Sequence, residues 1–293
     1  MARLTLNLLR RANAINPQLV PLLKATRSLQ LAIAELRWIK QELPRSQWTD
    51  AIRKRAQLVP LQYILGSQPF GSLDILCSPG VLIPRWETEE WCMKLVDVLR
   101  SAAVSDISVL DACTGSGCIP LLLKKELPAL QVLAVDLSDK ALHLALENMR
   151  RANVTIDVQK VDVLNYNAVP EQRFTLVTSN PPYIPASDFD KPLLLNGVDA
   201  SVRLHEPRMA LVGHLEFYRA LARDIVPACH SEGVVLELGY EDQYLETIAN
   251  LPLNWSHGRY FDLAGNLRCA IAWKNGSSME CLGRLVNENQ SHP

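Results

Sequence analysis

The sequence has 293 residues, of which 48% are hydrophobic and 21% are charged. This composition is typical of a globular chain with a substantial core, and at ~150 residues per domain it fits one large domain with a small second one. A net charge of −1 argues against a protein whose main task is to coat nucleic acid. The seven cysteines form no Cys-x-x-Cys pair, so we expect no metal site, and no run approaches the ~20 apolar residues of a membrane span.

The charge is unevenly distributed along the chain. Up to Pro60 there are eleven basic and three acidic residues, a net +8, and no acid precedes Glu35. This basic N-terminal segment could bind an acidic or RNA-bound partner, or it could be a solvated helical surface. Its arginines and leucines also resemble a mitochondrial transit peptide, which predicts a location in the mitochondrial matrix. The alternative is an ordinary first helix with a basic face.

Predicted elements fall into two classes along the chain. Residues 1–60 carry helical patterns and are expected to form a small helical N-terminal domain that binds the substrate. Short apolar runs broken by glycine and proline predict a β-hairpin connector over 61–87. Strands and helices then alternate over 88–275, which predicts an α/β domain with a mainly parallel sheet covered on both faces. The strands are expected at 108–112, 130–136, 156–162, 174–180, 233–239 and 269–274. Residues 276–293 are expected to be a polar, frayed tail.

A glycine-containing loop follows the first strand of this domain, with the sequence Asp111-Ala-Cys-Thr-Gly-Ser-Gly117. Ligands of open α/β sheets bind beyond the carboxyl ends of the strands, and glycine there permits close approach to the backbone. Pro120 stands where a dinucleotide fingerprint needs a third small residue. This disfavours a nicotinamide enzyme and leaves another nucleoside ligand open, as well as a turn that merely needs glycine.

Two further carboxylates end predicted strands. Asp136 lies 21 residues beyond Gly115, a spacing at which an acid can accept hydrogen bonds from both hydroxyls of a ribose. Its alternative role is to stabilise the start of the following helix. Asp162 ends the third strand, where it could face the amino group of an adenine or could equally be a turn or cap residue.

The segment Asn180-Pro181-Pro182-Tyr183 ends the fourth strand. The two prolines fix two φ angles, and the residue before proline is driven toward extended conformations. The strand end is therefore stiff, and it offers the Asn180 side-chain carbonyl and the Pro181 backbone carbonyl as acceptors. Two acceptors in fixed geometry suit a planar NH₂ group, and the Tyr183 ring could lie against a flat π-system.

Together, these motifs resemble the amino-methyltransferases that use S-adenosylmethionine, and more narrowly the HemK/PrmC family of protein-(glutamine-N5) methyltransferases in its mitochondrial branch. The resemblance extends over roughly residues 20–275. It is carried by PLQYILG, PGVLIPRWETE, DACTGSGCI, SNPPYI and HEPRMALVG. This sequence has Cys113 where the family usually has glycine, Trp86 for a frequent proline, and His214 where a second glycine is common.

The resemblance implies a Rossmann-like, seven-stranded class I methyltransferase sheet. It also implies S-adenosyl-L-methionine as cofactor and the glutamine of a Gly-Gly-Gln motif in a peptide chain release factor as substrate. The implied catalytic residues are Asn180, Pro181, Pro182 and Tyr183. The implied cofactor-binding residues are Asp111, Cys113, Thr114, Gly115, Gly117, Asp136, Leu137, Asp162, Val163 and Asn180. Thr88 and the backbone around Arg85 are expected to border the cleft, and 184–215 could be a lid.

Two other functions remain open at this point. A methyltransferase acting on the exocyclic amine of adenine or guanine in nucleic acid would also grip a planar NH₂ group, although the sequence has no basic second module. A non-catalytic adaptor could bind translation factors through the helical domain. We expect a monomer that binds its release factor without stable nucleic-acid or membrane binding.

Overall fold

A computed structural model of the protein describes residues 4–102, 106–165, 172–191 and 198–288. Helices form the first part of the chain, and their apolar faces meet in a core of their own that includes Leu19, Leu22 and Ile39. Thr5 and Ser28 begin two of the helices by accepting a hydrogen bond from a backbone N–H of the first turn. The helices are α1 Leu6–Ile15, α2 Leu19–Thr26, α3 Leu29–Glu42 and α4 Trp48–Ala56, with a 3-10 turn at Arg45–Gln47.

The connector contains a helix as well as the expected hairpin. Residues Leu61–Leu65 form α5, which ends at Gly66 in the left-handed region with φ 93°. The hairpin itself is short, with β1 at Ser67–Phe70 paired antiparallel to β2 at Leu73–Leu76. The helix α6 then begins at Trp86, so the first and last parts of the range 61–87 are helical rather than strand or loop.

The large sheet has seven strands in the order β5-β4-β3-β6-β7-β9-β8. All neighbours are parallel except that β9 runs antiparallel to both β7 and β8. This confirms the predicted seven-stranded α/β class. The strands are β3 Ser108–Ala112, β4 Gln131–Asp136, β5 Asp157–Lys160, β6 Leu176–Ser179, β7 Gly233–Glu237, β8 Trp255–Phe261 and β9 Leu267–Lys274.

Helices cover both faces of the sheet, as expected for a mainly parallel sheet whose strands are buried on both sides. One apolar cluster packs α6 to α8 against one face, and a second packs the helical stretch 215–228 and α13 against the other. The helices are α6 Trp86–Ala102, α7 Cys118–Glu126, α8 Asp139–Ala152, α9 Ala186–Phe189, α10 Ala200–His205, α11 Leu215–Arg219, α12 Val226–Ala228 and α13 Glu241–Ala249. A 3-10 turn lies at Arg208–Ala210 and a π-helical stretch at Ala220–Ile225.

The strand β8 was not predicted from its own pattern. It lies at the edge of the sheet, and its residues are largely only partly buried. A strand with one neighbour and a partly solvated surface needs few apolar residues, so WSHGRYF lacks the alternation that marks a strand.

The prediction that the tail frays is wrong for most of its described part. Residues Ser278–Leu285 form a 3-10 helix in which Met279, Leu282 and Leu285 are buried. These three residues are spaced by three, which is the period of a 3-10 helix, so they share one face that packs against the sheet domain. Val286 then lies against Gly258 of β8, where a side chain would leave no room. Residues 289–293 lie outside the described part of the chain.

Candidate active site

A cavity of about 310 Å³ opens beyond the carboxyl ends of β3 to β6. Its lining includes the loop after β3, the ends of β4 and β5, the strand end after β6, and the segment around Arg85. The predicted site residues that line it are Cys113, Thr114, Gly115, Asp136, Leu137, Asp162, Val163, Asn180 and Pro182. The parallel register explains this convergence, since consecutive crossovers bring all these strand ends to one edge of the sheet.

The loop after β3 is held in shape by Asp136. Its Oδ2 accepts a hydrogen bond from the Gly115 N–H at 2.9 Å, and its Oδ1 accepts one from the Ser138 N–H at 2.8 Å. Gly115 has φ 58° and Cys113 has φ 59°, so the loop passes twice through the left-handed region. Cys113 carries a steric cost there that glycine would not, roughly 1 kcal/mol. Burial raises the pKa of Asp136, although the carboxylate still faces the cavity.

Asp111 lies behind the cavity lining and is fully buried. Its Oδ1 accepts a hydrogen bond from the Thr178 hydroxyl at 2.7 Å. Within the described parts of the chain, neither its Oδ2 nor the hydroxyl oxygen of Thr114 makes a hydrogen bond of good geometry, although the Thr114 hydroxyl lies near enough to lower the pKa of Asp111. Burial raises the pKa of Asp111 to about 7. Two open polar atoms at this place are unusual for a protein interior and fit the polar amino-acid end of a ligand.

Two predicted cofactor-binding positions lie at the other end of the cavity. Asp162 follows β5 and accepts a hydrogen bond from the Leu164 N–H at 3.0 Å. Val163 is buried beside it, while Leu137 and Leu164 line the cavity and remain about half exposed. A carboxylate between apolar side chains suits a flat heterocycle that carries an amino group.

Asn180 lies directly beyond β6 and lines the cavity. Its Nδ2 donates a hydrogen bond to Oγ1 of Thr88 at 3.2 Å. Its carbonyl oxygen is buried and has no hydrogen-bond partner among the residues that the structure describes. This strand end therefore holds one unsatisfied acceptor in a residue that lines the cavity. That Asn180 grips an NH₂ group stays a prediction.

Four predicted site residues lie outside the cavity lining: Asp111, Gly117, Pro181 and Tyr183. Gly117 precedes α7, where a side chain would approach Ala145 to 3.2 Å, so its role is to let α7 pack against α8. The Tyr183 ring is partly buried and packs against Gly239, and its backbone carbonyl accepts a hydrogen bond from Gln243 Nε2 at 2.7 Å. The ring thus lies behind the cavity rather than on its surface.

The lining also contains residues that were not assigned from sequence. The segment after α10 contributes Pro207, Met209, Ala210 and Val212. It is attached by Glu206, whose carboxylate accepts hydrogen bonds from Arg85 Nη2 at 2.7 Å and from the Ile83 N–H at 3.1 Å. The stretch HEPRMALVG carried part of the family resemblance, but its apolar residues gave no chemical signal of a site.

This segment also contacts the Asn-Pro-Pro-Tyr strand end. Ile184 and Val212 form a parallel bridge, and a side chain at Gly213 would come within 2.4 Å of the Pro182 carbonyl oxygen. Only glycine permits this approach. The part of the predicted lid at 192–197 lies outside the described residues.

The fold and this site define a methyltransferase of the α/β class. The family model "Methyltransferase small domain" matches residues 92–204. Among solved structures, the hMettl16 catalytic domain in complex with a MAT2A 3′UTR hairpin has a TM-score of 0.54 at 19% identity, covering 77% of this chain and 80% of that one. A likeness at this identity shows the fold alone. No helix in the described ranges could cross a membrane, and no cluster of three or more His, Cys, Asp or Glu there could hold a metal ion.

Similar sequences show which group of methyltransferases the chain belongs to. The mitochondrial MRF1 N(5)-glutamine methyltransferase MTQ1 of Saccharomyces cerevisiae is 38% identical over 288 residues, which cover 94% of this chain and 90% of MTQ1. The probable MRF1 mitochondrial N(5)-glutamine methyltransferase of Schizosaccharomyces pombe is 42% identical over 227 residues, which cover 69% of this chain and 72% of the relative. The release factor glutamine methyltransferase of Geobacter sulfurreducens is 41% identical over 180 residues, covering 60% and 58%. The chain belongs to this family of S-adenosylmethionine-dependent N5-glutamine methyltransferases.

Proposed function

We propose that this protein transfers a methyl group from S-adenosylmethionine to the side-chain nitrogen N5 of the glutamine in the Gly-Gly-Gln motif of a mitochondrial peptide chain release factor. The single observation that carries the proposal is the buried side-chain carbonyl oxygen of Asn180, a residue that lines the cavity; this oxygen lacks a partner in the described parts of the chain. The names of the relatives, which specify MRF1 and release factors, support the choice of substrate.

The residues present fit the cofactor. Asp136 and Asp162 would take the ribose and the adenine, with Leu137 and Val163 against the ring system. Asp111 and Thr114 have open polar atoms for the amino-acid end. When bound, S-adenosylmethionine supplies an electrophilic methyl group on a sulfonium centre. A cavity of about 310 Å³ is at the lower end of the range that encloses small-molecule ligands.

Asn180 would act on the substrate amide. The nitrogen of an amide is a weak nucleophile because its lone pair is delocalised, so the enzyme must orient it and stabilise positive charge on it. The Asn180 carbonyl would accept one of its two hydrogens, and the Pro181 carbonyl is the proposed second acceptor. Fixed acceptors aimed at a developing charge are an effective form of catalysis, and orientation can supply up to ~7–11 kcal/mol. The proton can leave after transfer, so no strong base is required.

We further propose how the protein meets its substrate. The helical residues 1–60 and the connector would hold the release factor, while residues 88–275 hold the cofactor and perform the transfer. The Saccharomyces cerevisiae and Schizosaccharomyces pombe relatives are named as mitochondrial, and the basic first segment of this chain supports the mitochondrial matrix as the location. That segment folds as α1 and buries Ala12 in the helical core. The protein would act as a monomer, without stable binding to nucleic acid or membranes.

Methyl transfer to three substrates assayed side by side tests the proposal: the Gly-Gly-Gln domain of the mitochondrial release factor, RNA and DNA. We expect label in the release factor alone, at the glutamine, with none when that glutamine is replaced by glutamate. Mass spectrometry of the release factor from cells lacking this protein should show the methyl mark lost. Label in RNA or DNA instead would establish the nucleic-acid alternative, and failure to bind cofactor would establish the adaptor.

A further inference from the structure

We propose that Thr88, Glu237 and Trp91 form a positioning relay that fixes which way the Asn180 side-chain amide points. The relay is the hydrogen-bond chain from Trp91 through Glu237 and Thr88 to Asn180. It lies outside the motif that carries the proposed transfer. The inference rests on the proposed function, because it explains how that motif is set for an NH₂ substrate.

Sheet register and helix geometry bring the four residues together. The parallel strands β6 and β7 pair Ser179 with Leu236, so the next residue on each strand, Asn180 and Glu237, emerges at the same edge. The helix α6 passes this edge with Thr88 and Trp91, which lie three residues apart on one face. The relay thus joins three elements that are distant in sequence, at separations of 92 to 149 residues.

The direction of every hydrogen bond in the relay follows from its first member. The indole nitrogen of Trp91 can only donate, and it lies 2.8 Å from Glu237 Oε2, so that oxygen is an acceptor. When Glu237 is ionised, its oxygens can only accept, so the Thr88 hydroxyl, at 2.7 Å from the same oxygen, donates its single hydrogen to it. Only a lone pair of Thr88 is left for Asn180, which must meet it with its NH₂ group at 3.2 Å.

The relay therefore disfavours the flipped orientation of the Asn180 side-chain amide. A flipped Asn180 would set its carbonyl oxygen against the Thr88 lone pairs and would aim its NH₂ at the NH₂ of the substrate. Thr88, Trp91 and Glu237 are each only 1% exposed, so water cannot replace the lost contact. The buried relay therefore leaves the carbonyl oxygen, which has no partner among the described residues, as the amide atom of Asn180 that is available to a ligand in the cavity.

The first test uses Thr88→Val, which keeps the shape of the side chain and removes the hydroxyl. We expect kcat for the release-factor domain to fall about 10- to 100-fold, the factor typical of losing one hydrogen bond to a buried polar group. The KM for the release factor and the Kd for S-adenosylmethionine should change less than about threefold, since the relay acts on the reacting amide group and not on the rest of either binding surface. Thr88→Ser should restore most of kcat.

A matched control is Thr175→Val, which removes a partly buried hydroxyl at the opposite end of β6, where it contacts Ser108. Its kcat should equal that of the wild type. If Thr88→Val weakens cofactor binding by as much as it lowers kcat, Thr88 is a direct cofactor contact and the relay is wrong. The relay is also wrong if Thr88→Ser is as slow as Thr88→Val.

A second pair of variants probes the other end of the relay. Glu237→Leu frees the Thr88 hydrogen to turn toward Asn180, and we expect a loss of kcat similar to that of Thr88→Val. Glu237→Gln retains an acceptor for Trp91 and Thr88 and should recover most of the rate. In the Asn180→Ala background, Thr88→Val should cost nothing further, because Thr88 acts only through Asn180. Additive losses would overturn the proposal.

A readout independent of activity separates this proposal from the proposed substrate. In protein labelled with ¹⁵N at asparagine, the Asn180 side-chain proton that is bonded to Thr88 should exchange slowly with solvent. Thr88→Val should move the chemical shift of that proton and speed its exchange, while Thr88→Ser should leave both close to the wild type. A wild-type protein that leaves the release factor unmethylated would refute the proposed function, while the amide signals would still decide the relay.

Discussion

The buried carboxylate in the helical core is fully hydrogen-bonded, whereas several buried polar atoms at the cavity have no hydrogen bond to any residue that the structure describes. In the helical core, Glu35 accepts hydrogen bonds from Arg55 Nε at 2.8 Å and Nη2 at 2.9 Å, and Arg55 Nη1 donates to the Val59 carbonyl at 3.1 Å. At the cavity, by contrast, single atoms of Asp111, Thr114 and Asn180 have no partner in the described ranges.

This contrast distinguishes polar groups that stabilise the folded protein from polar groups that bind a ligand. A closed network costs little once folded, whereas an open buried acceptor costs roughly 1–3 kcal/mol until something binds it. Evolution can retain such a cost where binding or catalysis recovers it. Substitutions in the helical core should therefore lower stability. Substitutions at the cavity should instead lower activity or cofactor affinity.

The largest effect should come from Asn180→Ala. Removing the carbonyl deletes the proposed grip on the substrate amide, and we expect kcat to fall at least ~10²-fold, as when an electrostatic stabiliser is removed. The Kd for S-adenosylmethionine should change far less. Single-turnover kinetics with purified enzyme and release-factor domain would measure both. A variant with near-normal turnover would show that the open acceptor is not part of the chemistry.

Next in size is Arg55→Ala in the helical core. Leaving Glu35 buried without its partner should lower the free energy of unfolding by about 3 kcal/mol. Urea titration should show an earlier midpoint, and the Kd for S-adenosylmethionine of the folded protein should be unchanged. Lys54→Ala on the same helix is the matched control, because its ion pair with Asp50 is exposed and should leave the midpoint in place. Equal effects of the two variants would mean that the closed network does not stabilise the helical core.

Asp111→Asn should raise the stability of the ligand-free protein, whereas Arg55→Ala should lower it. The pKa of Asp111 is raised to about 7 in the fold, so the buried acid keeps its proton up to that pH, while in the unfolded chain it ionises above ~4. The free energy of unfolding of the wild type therefore falls relative to that of the variant as the pH rises from about 4 to about 7. We expect the ligand-free variant to match the wild type near pH 4 and to be more stable at pH 8 by up to about 4 kcal/mol, the free energy that corresponds to a pKa raised from ~4 to about 7.

Thermal melts of the two proteins across this pH range would show the divergence, and calorimetry should show weaker binding of S-adenosylmethionine to Asp111→Asn. A stability difference that stays constant with pH would mean that Asp111 does not carry the raised pKa.

The smallest effect concerns the C-terminal 3-10 helix, a closed apolar contact. A methyl group at Gly258 would lie 2.4 Å from Val286 Cγ1, so Gly258→Ala should cost about 1–2 kcal/mol of stability. Removing the obstructing side chain in Gly258→Ala/Val286→Ala should recover most of it. Denaturation midpoints of the single and double variants are the measurement. A harmless Gly258→Ala would mean that the tail does not pack there in solution.

Much of this architecture was predictable because local patterns and buried contacts agree. The strands β3, β6 and β7 are short apolar runs that are buried almost throughout, so their patterns were unambiguous. Residues Leu61–Leu65, strand β8 and the 3-10 helix at Ser278–Leu285 were not predicted, since each owes its form to neighbours rather than to its own periodicity. The motif residues were found for a similar reason: glycine and proline restrict the chain locally.

By itself, the sequence determined the class of sheet, the loop at Gly115 and the stiff strand end at Asn180, because φ restrictions and hydrophobic periodicity act over a few residues. Only the tertiary structure decided that Tyr183 packs behind the cavity, that Glu206 attaches the covering segment, and which atom of the Asn180 amide faces the ligand. That last choice depends on Thr88, 92 residues away, and on one hydrogen that the fold directs toward Glu237. Hydrogen bonds between distant elements leave no periodic signal in a sequence.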